Sequence, residues 1–275
     1  MRRDVAPLVA LLLVGARAPL AAGDARLEDA FRHMYELEFD AARRDVAAYR
    51  LQRPEDPLGT AAEAASYLFE EFDRQGVLTS EFFLDDDRLL GGVKGSVDAK
   101  RSAAFLAANA RARSMAEARL KANPNDADGL FVLTLADGME SDFEALIRKR
   151  QVASLGLIRR AERTAARLLA VKPDAVDAYV ALGAANYIIG CLPAYKRMFI
   201  WLGGVHGDRR RGMEQLETAA TRGHYLKPLA AALLALVARR EHQPERARAL
   251  LEGLSREFPR NRVFARELAL VGSSK

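Results

Sequence analysis

Cysteine and aromatic residues are scarce in this sequence: it has one Cys, Cys191, and only 7% of its 275 residues are aromatic. A single thiol cannot form a disulfide within the chain, and it excludes metal sites built from several thiolates. No Cys follows the N-terminal apolar run, so the sequence offers no site there for a lipid anchor. Ala, Leu, Arg and Glu dominate instead, and because these residues favour helices the composition predicts an all-α fold.

Long apolar runs are scarce as well. The stretches at 178–190 and 228–238, AYVALGAANYIIG and PLAAALLALVA, are too short to span a bilayer, and both predict buried helices.

The N-terminal stretch, MRRDVAPLVALLLVGARAPLAAGDA, has two Arg, a short apolar run and then small residues, an order typical of a secretory signal peptide. We therefore expect residues 1–23 to be removed, Asp24 to become the N-terminus, and the protein to be periplasmic or secreted.

Motifs of catalysis and of metal or cofactor binding are also missing. The four His residues are widely separated, and no pair has the i, i+4 spacing of a helical zinc site. Neither a G-x-S-x-G elbow nor a dinucleotide fingerprint is present. The stretch LDDDRLLGGVKGS at 84–96 lacks the spacing of a P-loop or an EF-hand and predicts a solvated loop. We predict no catalytic residue, cofactor or metal site, with an enzyme whose active site combines distant residues as an alternative.

Charge is unevenly distributed along the chain. Residues 24–140 carry 15 Lys and Arg against 23 Asp and Glu, a net charge of −8, whereas residues 141–275 carry 24 against 13, a net charge of +11. A basic half can attract an anionic partner such as a lipid surface or an acidic protein. Contact of this half with an anionic membrane is therefore a second alternative, and we do not expect a nucleic acid partner.

Four Pro residues each follow a long amphipathic run, in the stretches RLQRPEDPLG, LKANPNDADG, LAVKPDAVDA and REFPRNRVFA. Since Pro cannot continue a helix but suits the first turn of one, each stretch predicts a turn between two helices. Small residues occur at fixed distances from these four Pro residues: twelve before them stand Ala42, Ala112, Ala161 and Ala247, and ten after them stand Ala64, Thr134, Gly183 and Ala269. Small residues at such positions let two antiparallel helices approach closely.

This combination of Pro and small residues resembles the tetratricopeptide repeat (TPR), and DAYVALGAANY matches the opening of that repeat at Tyr179, Leu182 and Gly183. The Pro residues are 70, 49 and 86 positions apart instead of the repeat's about 34, so longer or additional helices must lie between them. The resemblance implies one domain at 24–275, in which antiparallel helical hairpins stack as a TPR-like α-solenoid. An unrelated helical bundle is the alternative fold.

The stretch at 192–216, LPAYKRMFIWLGGVHGDRRRGMEQL, predicts a further helical hairpin, closed by Gly residues and capped by Asp208. Residues 180–240 resemble a TPR family that includes fungal inclusion-body clearance proteins and animal tetratricopeptide repeat protein 39, although Ala194 stands where a second Pro is usual. Members of that family are non-enzymatic interaction proteins. We expect Trp201 to pack one hairpin on the next, with a partner-binding surface that includes Trp201 and Arg197 as the alternative.

A TPR-like register also assigns partner-binding positions. The resemblance places five residues on the concave face of the array: Asp128, Phe131, Asp177, Val180 and Tyr187. The sequence therefore predicts a non-catalytic, exported scaffold that binds a protein or peptide partner.

Overall fold

The computed structural model describes residues 22–191 and 207–273, and within these ranges all regular structure is helical. The helices are α1 (Ala22–Tyr35), α2 (Phe39–Gln52), α3 (Pro57–Arg74), α4 (Ser80–Leu84), α5 (Asp86–Gly91), α6 (Ala99–Ala122), α7 (Ala127–Asp142), α8 (Gln151–Val171), α9 (Ala178–Cys191), α10 (Arg209–Arg222), α11 (Lys227–Arg240), α12 (Pro244–Glu257) and α13 (Arg262–Ser273). One π-helical turn, Phe143–Ile147, continues α7. The predicted all-α class is confirmed.

Two predictions lie outside the described residues. The signal peptide falls almost wholly in residues 1–21, and Arg197 and Trp201 fall in the stretch 192–206. Among the described residues, no helix has both the length and the apolar character needed to cross a membrane.

The four Pro turns share one geometry. In each, the residue before Pro ends a helix with a φ between −125° and −137°, and its carbonyl accepts a hydrogen bond from the N–H three residues later, at 3.2 Å for Arg53 and Asp56 and at 3.0 to 3.1 Å in the other three turns. Pro thus occupies the second position of a tight turn, where its fixed φ is favourable. The predicted turns are confirmed at 53–56, 123–126, 172–175 and 258–261.

Most of the small residues at fixed distances from these turns are buried. The approach is close at Gly183 in α9, where an added Cβ would lie 2.9 Å from the carbonyl oxygen of Gly212 and 2.8 Å from Leu216 in α10. Ala269 in α13 is the exception and is exposed, because no further helix follows α13 in the described residues to cover that face.

Most helices that are neighbours in the chain pack on one another, the exceptions among the described helices being α3 with α4 and α5 with α6. In addition, the alternate helices α1, α3, α7, α9 and α11 contact one another in chain order. The described helices therefore form an inner row of alternate helices, with α2, α6, α8, α10 and α12 packed against it.

The two ends of the described chain meet. The Tyr35 hydroxyl donates a hydrogen bond to the Tyr225 carbonyl at 2.7 Å, and the Asn261 amide donates to the Tyr35 carbonyl at 2.7 Å. The N–H of Arg260 donates to the Glu36 carboxylate at 2.7 Å. As a result α1 lies against the later helices, in a cluster of buried apolar side chains that we call the inner cluster: Leu27, Ala30, Phe31, Met34, Phe39, Ala42, Val46, Tyr49, Ala62, Val180, Ala219, Leu226 and Ala230.

The predicted loop at 84–96 is partly helical, so that prediction is wrong for α5. Asp85 accepts hydrogen bonds from the N–H groups of Asp87 and Arg88, which caps the start of α5. Gly92 then ends the helix with a φ of 68°, and the remaining residues to Asp98 are non-helical.

Candidate binding surface

Three of the predicted partner-binding residues are buried: Asp177, Val180 and Tyr187 are 8%, 6% and 6% exposed. Val180 belongs to the inner cluster, and the Tyr187 hydroxyl donates a hydrogen bond to Glu241 at 2.7 Å. Their predicted position on an open concave face is therefore wrong. The physical reasons differ: Val180 packs with α1 in the inner cluster, whereas Tyr187 packs against Leu216 of α10 and Leu234 and Val237 of α11, and the turn before α11 covers Asp177.

Asp177 has an evident structural role. Its carboxylate accepts hydrogen bonds from the N–H groups of His224, Tyr225 and Leu226, at 2.8, 2.9 and 3.3 Å. These three N–H groups belong to the turn before α11, and satisfying them stabilises the turn. Asp177 therefore connects the start of α9 to the α10–α11 connection.

The other two predicted positions differ from each other. Phe131 is half-buried against the inner cluster. Asp128 is exposed, and its carboxylate accepts a hydrogen bond from Arg119 at 3.1 Å. Of the five positions, Asp128 alone presents most of its side chain to solvent.

An open concavity of about 460 Å³ lies elsewhere, between α6 and α8, and we call it the α6–α8 cleft. Both α6 and α8 pack on α7, which forms the floor of the cleft between them. The lining residues are Arg113 and Glu117 of α6, Leu133, Asp137 and Glu140 of α7, and Arg160, Arg163 and Thr164 of α8. The cleft thus gathers charged side chains of both signs from three successive helices.

A buried carboxylate organises this cleft. The Oδ1 atom of Asp137, whose side chain is 4% exposed, accepts a hydrogen bond from Arg113 Nη1 at 2.7 Å and from Arg160 Nε and Nη2 at 3.2 and 2.9 Å. Burial of an unpaired carboxylate would be costly, and two guanidinium groups offset that cost. Asp137 therefore holds one Arg from each wall of the cleft.

The second carboxylate of the cleft is Glu140, which accepts a hydrogen bond from Arg113 Nη2 at 2.7 Å. Burial alone lowers the pKa of Arg113, but the hydrogen bonds and charges of Asp137 and Glu140 outweigh it and raise the pKa above its ordinary value. Arg113 therefore stays charged throughout the physiological pH range.

Arg163 differs from the other two Arg residues of the cleft. Its side chain is exposed, and no other described residue forms a hydrogen bond or an ion pair with it. Its guanidinium group is consequently available to a ligand.

A second concavity, of about 610 Å³, lies beside α1 and α2 and is lined by His33, Leu37, Glu38, Phe39, Asp40, Ala41, Arg44, Asp45 and Glu70. Its polar groups are largely paired within the fold: His33 Nδ1 lies 2.8 Å from Asp45 Oδ2, and Glu38 accepts a hydrogen bond from Arg260 at 2.7 Å.

In the part of the chain that the structure describes, no group of three or more His, Cys, Asp or Glu could hold a metal ion.

The basic start of α10 is partly compensated. Arg209 pairs with Glu241, and Arg210 pairs with Glu214 at 3.1 Å. Two of the three consecutive Arg residues therefore already have carboxylate partners, which reduces the charge that this helix presents to an anionic membrane.

No family model, curated protein or solved structure matched this chain.

Proposed function

We propose that this protein is a non-catalytic, exported scaffold, in which TPR-like helical hairpins stack as an α-solenoid and bind a protein or peptide partner. The observation that carries the proposal is the recurrence of one Pro turn at four places, together with the contacts among alternate helices. A chain built by repeating one hairpin exposes extended surfaces, and such surfaces suit the binding of proteins and peptides.

The place of binding differs from the one that the sequence suggests. Because three of the predicted concave positions are buried, we propose that the partner binds at the α6–α8 cleft, which is open and whose Arg163 has no partner among the described residues. Polar and charged groups around a small apolar floor, here Leu133, are common at protein-binding surfaces.

Affinity purification of the tagged full-length chain, from the organism that encodes it, tests the proposal. The chain is crosslinked in living cells, and three forms are compared by mass spectrometry: wild type, Arg163→Glu and Arg222→Glu. Arg222 is a matched control, since it is exposed on α10 and no other described residue pairs with it.

We expect a partner that wild type and Arg222→Glu recover and that Arg163→Glu loses. Failure of every form to crosslink a partner above the background of an unrelated tagged protein would contradict the proposed function. Equal recovery by all three forms would contradict the location in the cleft. Fractionation of the same cells tests export, because an uncleaved cytoplasmic chain would contradict it.

A further inference from the structure

Two Arg residues of the α6–α8 cleft have donors that no other described residue uses. Arg160 directs Nε and Nη2 at Asp137, and its Nη1 forms no hydrogen bond with another described residue. Arg163, one helical turn later on the same helix, uses none of its donors on another described residue. The cleft therefore offers several N–H donors on one face of α8.

Asp137 also prepares Arg160 for binding. An Arg side chain loses conformational entropy when a ligand fixes it, and an Arg already held by a buried carboxylate has lost part of that entropy in folding. Asp137 is buried and accepts two hydrogen bonds from Arg160, so the guanidinium group stands in place before a ligand arrives.

The chemistry of these donors suits an oxyanion. A guanidinium group presents its N–H donors as a fork that matches two oxygens of a carboxylate or of a phosphate. Thr164, whose hydroxyl donates to the Arg160 carbonyl at 2.9 Å, adds an oxygen that can accept a hydrogen bond from a peptide N–H.

The carboxylates of the cleft decide between classes of anionic partner. Glu117 lines the cleft beside the Arg residues, and no other described residue pairs with it. A nucleic acid carries closely spaced phosphates and would place some of them against Glu117 and Glu140. A peptide can place single carboxylates on Arg160 and Arg163 and leave neutral residues beside Glu117.

We infer that the α6–α8 cleft binds an acidic peptide segment of the partner, with carboxylates paired to Arg163 and to the outward donors of Arg160. The inference rests on the proposed function and specifies the chemistry of the partner. It also assigns Glu117 a selective role, because its charge disfavours continuous polyanions.

Fluorescence anisotropy of a labelled peptide of Glu and Gly residues tests the inference on the full-length chain. The same peptide with Gln in place of Glu is the neutral control, and a labelled single-stranded DNA oligonucleotide is the phosphate control. The proteins compared are wild type, Arg163→Gln, Arg163→Glu and Glu117→Gln, with Arg222→Gln and Glu245→Gln as matched controls. Glu245 is exposed and, like Arg222, has no partner among the described residues.

We expect the Glu peptide to bind wild type more tightly than the Gln peptide or the oligonucleotide. Arg163→Gln should weaken binding by about two- to fivefold, as expected for loss of one exposed ion pair, and Arg163→Glu by about tenfold. Glu117→Gln should strengthen it, whereas Arg222→Gln and Glu245→Gln should leave it within error. Since Arg163 and Glu117 lack partners among the described residues, as do the two control positions, thermal melting should be unchanged in all variants.

Three outcomes would overturn the inference: equal binding of the Glu and Gln peptides, equal losses in Arg163→Gln and Arg222→Gln, or tighter binding of the oligonucleotide. A crosslinked partner that Arg163→Glu loses, combined with no binding of the Glu peptide, would refute the acidic segment and leave the proposed function intact. Absence of any partner in cells, with binding of the Glu peptide retained, would refute the proposed function instead.

Discussion

Two neighbouring sets of helices are held together in opposite ways. Between α9 and α10 the contact is made by Gly183 and Gly212, so that backbone lies directly on backbone. Between α7 and its two neighbours α6 and α8, long charged side chains meet around the buried Asp137. The glycine contact leaves no room even for a Cβ between α9 and α10, whereas the ion-paired side chains of α6, α7 and α8 line an open cleft. Under the proposed function, tight packing and partner binding therefore belong to different parts of the helical fold.

The largest loss of stability should come from placing a large side chain at the glycine contact between α9 and α10. Gly183→Leu should destabilise the protein by about 3 kcal/mol, because its Cβ alone would clash with the Gly212 carbonyl and with Leu216, and little there can move. Chemical denaturation measures the loss. Gly156→Leu in α8 is the matched control, since an added Cβ has nothing within 4 Å there, and it should be neutral or stabilising. Equal destabilisation by both variants would show that the contact is unimportant.

A somewhat smaller loss of stability is expected when the charge of Glu71 is removed from a second ion network, between α3 and α6. Glu71 is buried; burial raises its pKa, but hydrogen bonds from Arg74, Gln75, Arg101 and the N–H of Asp98 outweigh burial and lower the pKa to about 2. A lowered folded-state pKa contributes stability above the ordinary value of 4.5, and this contribution is lost as the pH falls from about 4.5 to about 2.

Glu71→Gln tests that pH dependence. At pH 7 the variant should be less stable than wild type by about 2 kcal/mol, and the difference should shrink steadily below pH 4.5 because wild type then loses the same charge. Denaturation curves collected from pH 7 to pH 3 measure the difference. A gap that stays constant over this range would contradict the role given to the Glu71 charge.

The smallest effect is expected in the α6–α8 cleft itself. Asp137→Asn should lower the free energy of unfolding by about 1 to 2 kcal/mol. This loss is smaller than for a fully buried ion pair, because the side chains of Arg113 and Arg160 are 21% and 49% exposed and can still reach water. Asp128→Asn is the control: its carboxylate is exposed, and the change should stay within about 0.5 kcal/mol. If the two substitutions cost the same, the buried network does not stabilise the packing of α6, α7 and α8.

The features that the sequence predicts well are local ones. A Pro turn and a small residue at a helix crossing depend on a few neighbouring positions, so Pro54 and Gly183 could be interpreted before the structure was known. The α5 helix was missed because three consecutive Asp residues look like a loop, although Asp85 caps a helix. Left-handed residues at Leu37, Lys149 and His242 carry no sequence signal, since none is Gly.

The remaining features depend on residues far apart in the chain. The cleft combines Arg113, Asp137 and Arg160 from three helices, and no local spacing connects them. The burial of the inner row could not be predicted either, because burial depends on how far each helical hairpin is rotated relative to the preceding one. Only the three-dimensional path of the chain brings Tyr35 to Tyr225.

The contact between the first and last described helical regions changes how the fold can unfold. An array of hairpins with free ends loses its terminal units one at a time, since each unit contacts only its neighbours. Here Glu36 and Tyr35 of the first hairpin bind Arg260 and Asn261 of the last turn, more than 220 residues later in the chain. Local unfolding of either region breaks these shared contacts and exposes the surface of the other region. Unfolding therefore becomes more cooperative. For the same reason the final packing of α1 waits until residue 261 has left the ribosome, and the growing chain carries its apolar inner face uncovered until then.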